Sequence, residues 1–405
     1  MAPSGAYLPW KETHLLEARA RFVWAVKAAH ESFAGLCRQF GISRKTGCKW
    51  WQRGRATGLK ALEDRSRRPL RPPAAYAPSW QERLRRTRQQ RPHWGPKKLR
   101  RWLGQRHPQA RRLPAVSTLA RWLGRLKLIG PPSRRARRGP VLKPLALTKA
   151  RAANEVWTVD FKGWFRTGNG TRVEPLTVRD LHSRFILGLQ LLPNQSDAAV
   201  RAAMTRLFRR FGLPQVIRVD NGAPFGGNGA LGLSRLSVWW LRLGIAVEFI
   251  RRAHPEDNAG HEQMHRVFKA ETTLPPTRTP QGQQARSTRW QHYYNRLRPH
   301  EALDQQTPAS RYQISSRRYP KHLPPLVYPD AWPVRRVVFH GDLKWQGRFR
   351  FVGRAFVGQT VGLKPIQPGV HEVYLGAHLI GQLHQSDRAG MRPASRSKAT
   401  PSKKV

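Results

Sequence analysis

The stretch from His254 to Glu271 reads HPEDNAGHEQMHRVFKAE, and within it stands His261-Glu262-x-x-His265. On a helix that spacing can turn two imidazoles toward one zinc ion with a glutamate beside them as general base. Two further acids stand where chemistry could use them. Asp160 closes the β-rich run in VWTVDFKG, and Asp220 closes another in VIRVDNGAPF. Acids at the carboxyl ends of neighbouring strands can converge, and a helix crossing that edge can bring Glu262 beside them. Such a cluster cannot stay ionised in a dry pocket without cations. Two hard divalent ions bridged by carboxylates, about 3.5–4 Å apart, are the usual solution for moving phosphodiester bonds. One ion would activate the attacking water or 3′-hydroxyl and the other would stabilise the leaving oxygen. That chemistry asks for oxygen ligands and for Mg2+ or Mn2+, two ions per site, rather than a closed zinc site. Each acid taken alone is more ordinarily a solvated or salt-bridged strand end.

Composition decides what such a site would act on. Seventy-five Lys+Arg stand against 23 Asp+Glu, a formal charge of +52. Self-repulsion on that scale calls for a polyanion, and arginine, which dominates here, suits phosphates and base edges. Double-stranded DNA is the expected partner. The acids are unevenly spread: 6 in residues 1–150, 13 in 151–312 and 4 in 313–405. Metal chemistry therefore has to reside in the middle. No uncharged apolar run approaches the roughly 20 residues that span a bilayer, so no membrane association is expected. The N-terminus lacks the basic-then-apolar layout of a secretory signal. Cys37 and Cys48 are the only cysteines, which suits a reducing, cytoplasmic and nucleoid-associated location.

The elements that must position these residues follow from periodicity. Residues 1–68 read as a DNA-binding domain. Its helices include a helix-turn-helix with Gly41 at the turn and Ser43 as cap, so that Arg44, Lys45, Thr46 and Lys49 face DNA from the second helix. Residues 65–78 and 130–150 read as basic, proline-containing linkers. Between them, 79–130 forms a second helical, helix-turn-helix-like module in which Ser117 is a candidate cap. Ser117 and Arg121 are its candidate DNA contacts. From 151 to 312 the pattern gives strands, a helix, and then alternating strand and helix, a mixed α/β sheet flanked by helices. Asp180 there reads as a turn residue or a partner of Arg184. A Pro-, Tyr- and Arg-rich linker over 313–333 precedes short alternating strands at 334–386, expected to form a small β-barrel. A disordered basic tail is expected at 387–405. The fold class is thus multidomain: helix-turn-helix modules, an α/β core and a small C-terminal barrel.

VWTVDFKGWF, RVDNGAPF and HPEDNAGHEQMHRVFKAE resemble, in order, the three signature segments of the DDE transposase and retroviral integrase superfamily. The likeness is greatest to the bacterial insertion-sequence branch with an rve-type integrase core, and it extends over nearly the whole chain, including NRLRPHEALDQQTPASRY at 295–312. It implies an RNase H-like core in which Asp160, Asp220 and Glu262 hold the metals and are the catalytic residues. The 41 residues between Asp220 and Glu262 exceed the retroviral spacing, and GGNGALGLSRLSVWW occupies the excess. A zinc-binding His-His-Cys-Cys module is not evident: ten residues separate Cys37 from Cys48, where a knuckle wants about two to four.

The resemblance implies a transposase that binds the terminal inverted repeats of its own insertion sequence, hydrolyses a phosphodiester to free a 3′-hydroxyl, and joins that hydroxyl to target DNA. Holding two element ends implies a homodimer or larger synaptic complex. Asn221, Asn258, His261 and His265 are then expected to support the acids from behind or to touch the DNA backbone. The competing readings are a non-catalytic DNA-binding regulator or domesticated transposase, and an HExxH zinc peptidase. The peptidase would need a third ligand, but Phe268 and Glu271 stand where a metzincin has glycine and histidine. Convergence of the three acids separates the catalytic from the non-catalytic reading.

Overall fold

The computed structural model describes residues 15–64, 76–129, 147–251, 255–388 and 390–394. They divide into two units, one up to Ala75 and one from Tyr76. The linkers expected at 65–78 and 130–150 and the basic tail at 387–405 fall largely outside the described residues. Where the tail is described, Arg392–Pro393 forms a short strand rather than disordered chain. Among the described residues no helix is long and apolar enough to cross a membrane.

Among the described residues the first unit holds three α-helices, α1 (Leu15–Ala28), α2 (Phe33–Gln39) and α3 (Arg44–Thr57). Ser43 caps α3 by accepting from the Thr46 amide at 3.2 Å, and Gly41 takes the positive φ (62°) of the turn between α2 and α3. Phe22, Val23, Leu36, Cys37, Trp50 and Leu62 form the core. Gly47 and Gly54, two turns apart, let α3 lie close against its neighbours. A Cβ there would stand 2.6 Å from Cys37 Sγ and 2.7 Å from Val23 Cγ1. Close packing offsets the roughly 1 kcal/mol that each helical glycine costs.

The second unit begins with α4 (Ser79–Gln90), α5 (Pro96–Arg106) and α6 (Val116–Arg125), packed around Trp80, Leu84, Trp94, Leu99, Leu119 and Trp122. Ser117 is not the cap of α6. Ala115 holds the extended backbone of the cap position (φ −65°, ψ 156°), and Ser117 is already helical with its side chain exposed. A hydroxyl placed there cannot reach forward to the free amides of the first turn.

The sheet of the core contains β1 (Val156–Phe161), β2 (Phe165–Arg166), β3 (Arg172–Asp180), β4 (Ile186–Leu192), β5 (Val216–Val219) and β6 (Ala246–Phe249). β3 pairs antiparallel with β1, β2 and β4, while β5 lies parallel between β1 and β6. Helices α7 (Asp197–Phe211), α8 (Arg235–Arg242), α9 (Ala259–Thr272) and α10 (Pro280–Arg296) complete the core. Trp157, Val159, Val200, Met204, Phe208, Ile217 and Trp240 meet in its main apolar cluster. Asp180 serves the turn after β3, accepting from the Asn154 and Ser183 amides at 2.7 Å each. Strand β4 is shielded by amides of α10 rather than by another strand. Gln284 bonds the Leu191 amide and the Leu189 carbonyl, Gln291 the Ile186 and Leu187 carbonyls, and Asn295 both polar groups of Ile186. This satisfies an edge that would otherwise invite pairing.

Residues 313–333 are not a free linker. Arg317 donates to the Leu243 and Gly244 carbonyls, Ser315 to the Leu213 carbonyl, and Tyr319 stacks on Phe208. The closed β-barrel is also not formed. β7 (Val334–Arg336), β10 (Thr360–Gln367), β11 (Val370–Leu375), β12 (His378–His384) and β13 (Arg392–Pro393) make an open sheet ordered β13-β12-β11-β10-β7. β8 (Asp342–Trp345) and β9 (Arg348–Phe351) pair only with each other. Closure needs long outer strands in register, and here they are two and three residues long. The inner face is covered instead by the core. Val337, Leu343, Phe356, Val361 and Ile380 share one cluster with Ala230, Leu233 and Val238.

Candidate active site

Strands β1 and β5 run parallel with Val156 opposite Val216 and Thr158 opposite Arg218. Asp160 and Asp220 each lie two residues beyond the last of these pairs. β5 ends just before Asp220, while β1 stays paired with β3 through Asp160 and Phe161. Phe161 packs against Phe225 (5.6 Å), which also stacks on Trp240 (6.2 Å), so the segment after Asp220 is anchored in the core. The Gly222 amide donates to Asp220 Oδ1 at 3.2 Å, and Asn258 Nδ2 to Asp160 Oδ2 at 3.2 Å. Asn221 donates to the Ile250 carbonyl and so ties that segment to the end of β6.

Asn258 directly precedes α9, whose first turn carries Glu262. In a helix, residues i and i+4 share a face and i+1 is rotated by about 100°. His261 and His265 accordingly turn into the protein while Glu262 is exposed at the acid edge. Both Asp220 and Glu262 act electrostatically on the buried Asp160 carboxyl. Burial, then the Asp220 charge, push the Asp160 carboxyl up to about 7; the Phe161 amide opposes this and Glu262 adds to it. Burial also raises Asp220, against the Gly222 hydrogen bond. Carboxylates offer only oxygen, the donor a hard divalent cation prefers, and such a cation would offset the charge that Asp220 and Glu262 place on Asp160.

The histidines hold a different place from the one a zinc helix needs. His261 is wholly buried, with Thr158 Oγ1 2.8 Å from Nδ1 and Thr177 Oγ1 2.6 Å from Nε2. His265 Nε2 lies 2.8 Å from the same Thr177 hydroxyl, which also bonds the Asp160 carbonyl at 2.9 Å. A carbonyl only accepts, so Thr177 donates to Asp160 and both imidazoles donate to Thr177 from Nε2. Burial keeps both rings neutral, His265 down at about 3, with Lys162 and Arg179 adding to the effect. Asp160, His261 and His265 bring possible ligand atoms within 4.8 Å of one another, but hydrogen bonds already engage the two Nε2 atoms. His261 has no route to DNA; it supports Asp160 from beneath.

Sequence reasoning missed Thr177, Lys162 and Lys269. Thr177 sits in an apolar-looking strand with no motif to mark it. Lys269 is two helical turns from Glu262, a spacing that was readable, and it acts on the half-buried Lys162, whose pKa burial depresses. The expected DNA contacts lie elsewhere. In the first unit Arg44, Lys45 and Lys49 are exposed on α3, while the Thr46 hydroxyl is 2.9 Å from Ser43 Oγ and belongs to the cap. In the second unit Ser117 and Arg121 are exposed on one face of α6.

Family models for an integrase core domain match residues 150–255 and 243–308, the stretch that carries all three acids. A model for the C-terminal domain of IS481 family transposases matches 333–389. Residues 150–308 thus match an integrase core domain, followed by a segment similar to the C-terminal domain of IS481 family transposases. Models for a helix-turn-helix domain and a homeodomain-like domain match the N-terminal part of the chain, at 18–69 and 46–123. An uncharacterized 31.7 kDa protein of insertion element IS407 from Burkholderia multivorans is 30% identical over 183 residues, 44% of this chain and 61% of that protein. An uncharacterized 39.2 kDa protein of insertion element IS476 from Xanthomonas euvesicatoria is 28% identical over 44% of this chain and 49% of its own length. The chain therefore spans about half of these relatives. Among solved structures, the magnesium-bound HTLV-2 integrase catalytic core aligns at 12% identity over 41% of this chain and 100% of its own (TM-score 0.33). A simian T-cell lymphotropic virus intasome chain aligns at 11% identity over 77% and 98% (TM-score 0.36).

Proposed function

We propose that the chain is an insertion-sequence transposase that cuts and joins DNA at the edge formed by Asp160, Asp220 and Glu262. The observation that carries this reading is that Asp220 and Glu262 both act on the buried Asp160 carboxyl, with Asp160 and Asp220 each two residues beyond the parallel β1–β5 pairing. The three acids would hold two Mg2+ or Mn2+ ions, which when bound supply activation of the attacking oxygen and charge relief for the leaving one. The chain's own residues set the geometry. Asn258 and the Gly222 amide orient the two aspartates, and Thr177 fixes the Asp160 backbone against α9.

Residues 1–130 bind the terminal inverted repeats, with Arg44, Lys45 and Lys49 on the recognition helix and Ser117 and Arg121 on α6. Two element ends are held by a homodimer or larger assembly. The test is to incubate purified protein with a duplex of the repeats flanking its own gene and a plasmid target, with Mg2+ or Mn2+. Covalently joined duplex and plasmid is the expected product. Specific binding of the duplex without nicking or joining under any divalent ion would favour a non-catalytic regulator.

A further inference from the structure

We infer that Trp164 is a stacking platform for an unpaired nucleobase of DNA held beside Asp160, an inference that rests on the DNA-acting reading above. Trp164 lies four residues beyond Asp160, on the segment joining β1 to β2, and its side chain is 54% exposed. A tryptophan ring so placed offers a large flat apolar face with a polar handle. Its surroundings are cationic and rigid. The Arg172 and Arg166 guanidinium groups lie 4.8 and 5.9 Å from its ring. Each is pinned by its own acceptor: Arg172 by the buried Glu174 carboxylate at 2.6 Å, Arg166 by the Gly170 carbonyl at 2.7 Å. The β2–β3 turn is fastened to the segment before α10, with the Gly168 and Asn169 amides donating to Thr277 and Arg278 carbonyls at 2.8 Å each.

A preorganised aromatic ring with fixed arginines beside it fits a base for the ring and phosphates for the arginines. Charge complementarity thus selects a nucleic acid over a protein partner. Within a duplex the base faces are already stacked, so the ring can only engage a base that is frayed or single-stranded.

Anisotropy titrations in EDTA, where no chemistry proceeds, test this with two probes: a blunt duplex, and the same duplex with a three-nucleotide single-stranded overhang carrying 2-aminopurine. The wild type is expected to prefer the overhang and quench its fluorescence. Trp164→Ala should lose roughly tenfold of overhang affinity together with the quench, leave blunt-duplex binding unchanged, and fold normally because the side chain is exposed. Trp164→Phe should retain most of both signals. Equal preference in wild type and Trp164→Ala overturns the inference. So does an equal loss on both probes, or a change confined to self-association, which would make the surface a protein contact. A protein that shows the overhang preference but never joins strands contradicts the transposase reading and leaves this inference standing.

Discussion

The Thr177 hydroxyl is the hinge point of the site's chemistry at the scale of single residues. It joins the backbone of the first acid to two imidazoles of the helix that carries the third, and burial keeps both rings neutral. The same economy of charge operates farther away at His300. It is buried with Nε2 unpaired, and burial, followed by Lys98 and Arg298, holds its pKa down at about 2. The unfolded chain takes up a proton there below its ordinary range near 6.5, whereas the folded chain does not until about pH 2. Acid therefore favours unfolding, and the contribution is fully present only above about pH 6.5. His300→Phe, which keeps the edge contact with Tyr294 (4.6 Å), should remove about 1.4 kcal/mol per pH unit of acid sensitivity between pH 6 and 4. Urea unfolding at several pH values reads this directly; parallel profiles for wild type and variant would contradict it.

At the scale of elements, α9 is locked by its far end as well as its first turn. Glu271 accepts from Arg298 Nη1 and from Trp290 Nε1 at 2.7 Å each, in a nearly dry setting. Arg298→Met strands that carboxylate and should cost about 3 kcal/mol, most of it recovered when Glu271→Leu is added. Tryptophan fluorescence during urea unfolding measures both, and an unchanged single variant would show the pair to be dispensable. Much of this core was legible in the sequence. Apolar strands ending in acids fix which edge the carboxylates share, and the i, i+1, i+4 spacing of His261, Glu262 and His265 separates their faces. The histidines' partners were not legible, because Thr158 and Thr177 lie on strands about a hundred residues away. Nor was the open C-terminal sheet: alternation announces strands, while closure depends on which outer strands meet. The long Asp220–Glu262 interval gains its reason only in three dimensions, since Ala230 and Leu233 within it pack under that sheet.

Over the whole molecule, cationic charge is spread widely and acids are concentrated in the segment that contains Asp160, Asp220 and Glu262. On the proposed reading, such a distribution would draw in a polyanion along much of the chain and leave the acids to bind cations. Binding and chemistry then rest on different residues: the exposed basic residues of α3 and α6 for the element ends, and Asp160, Asp220 and Glu262 for joining. The account is tested most directly by strand transfer with Asp160→Asn, Asp220→Asn and Glu262→Gln, each measured beside its affinity for the element ends. Each variant is predicted to bind the ends as the wild type does and to lose joining by at least roughly a thousandfold, the scale on which removing one group that stabilises transition-state charge is felt. Joining at the wild-type rate by any of the three would contradict it.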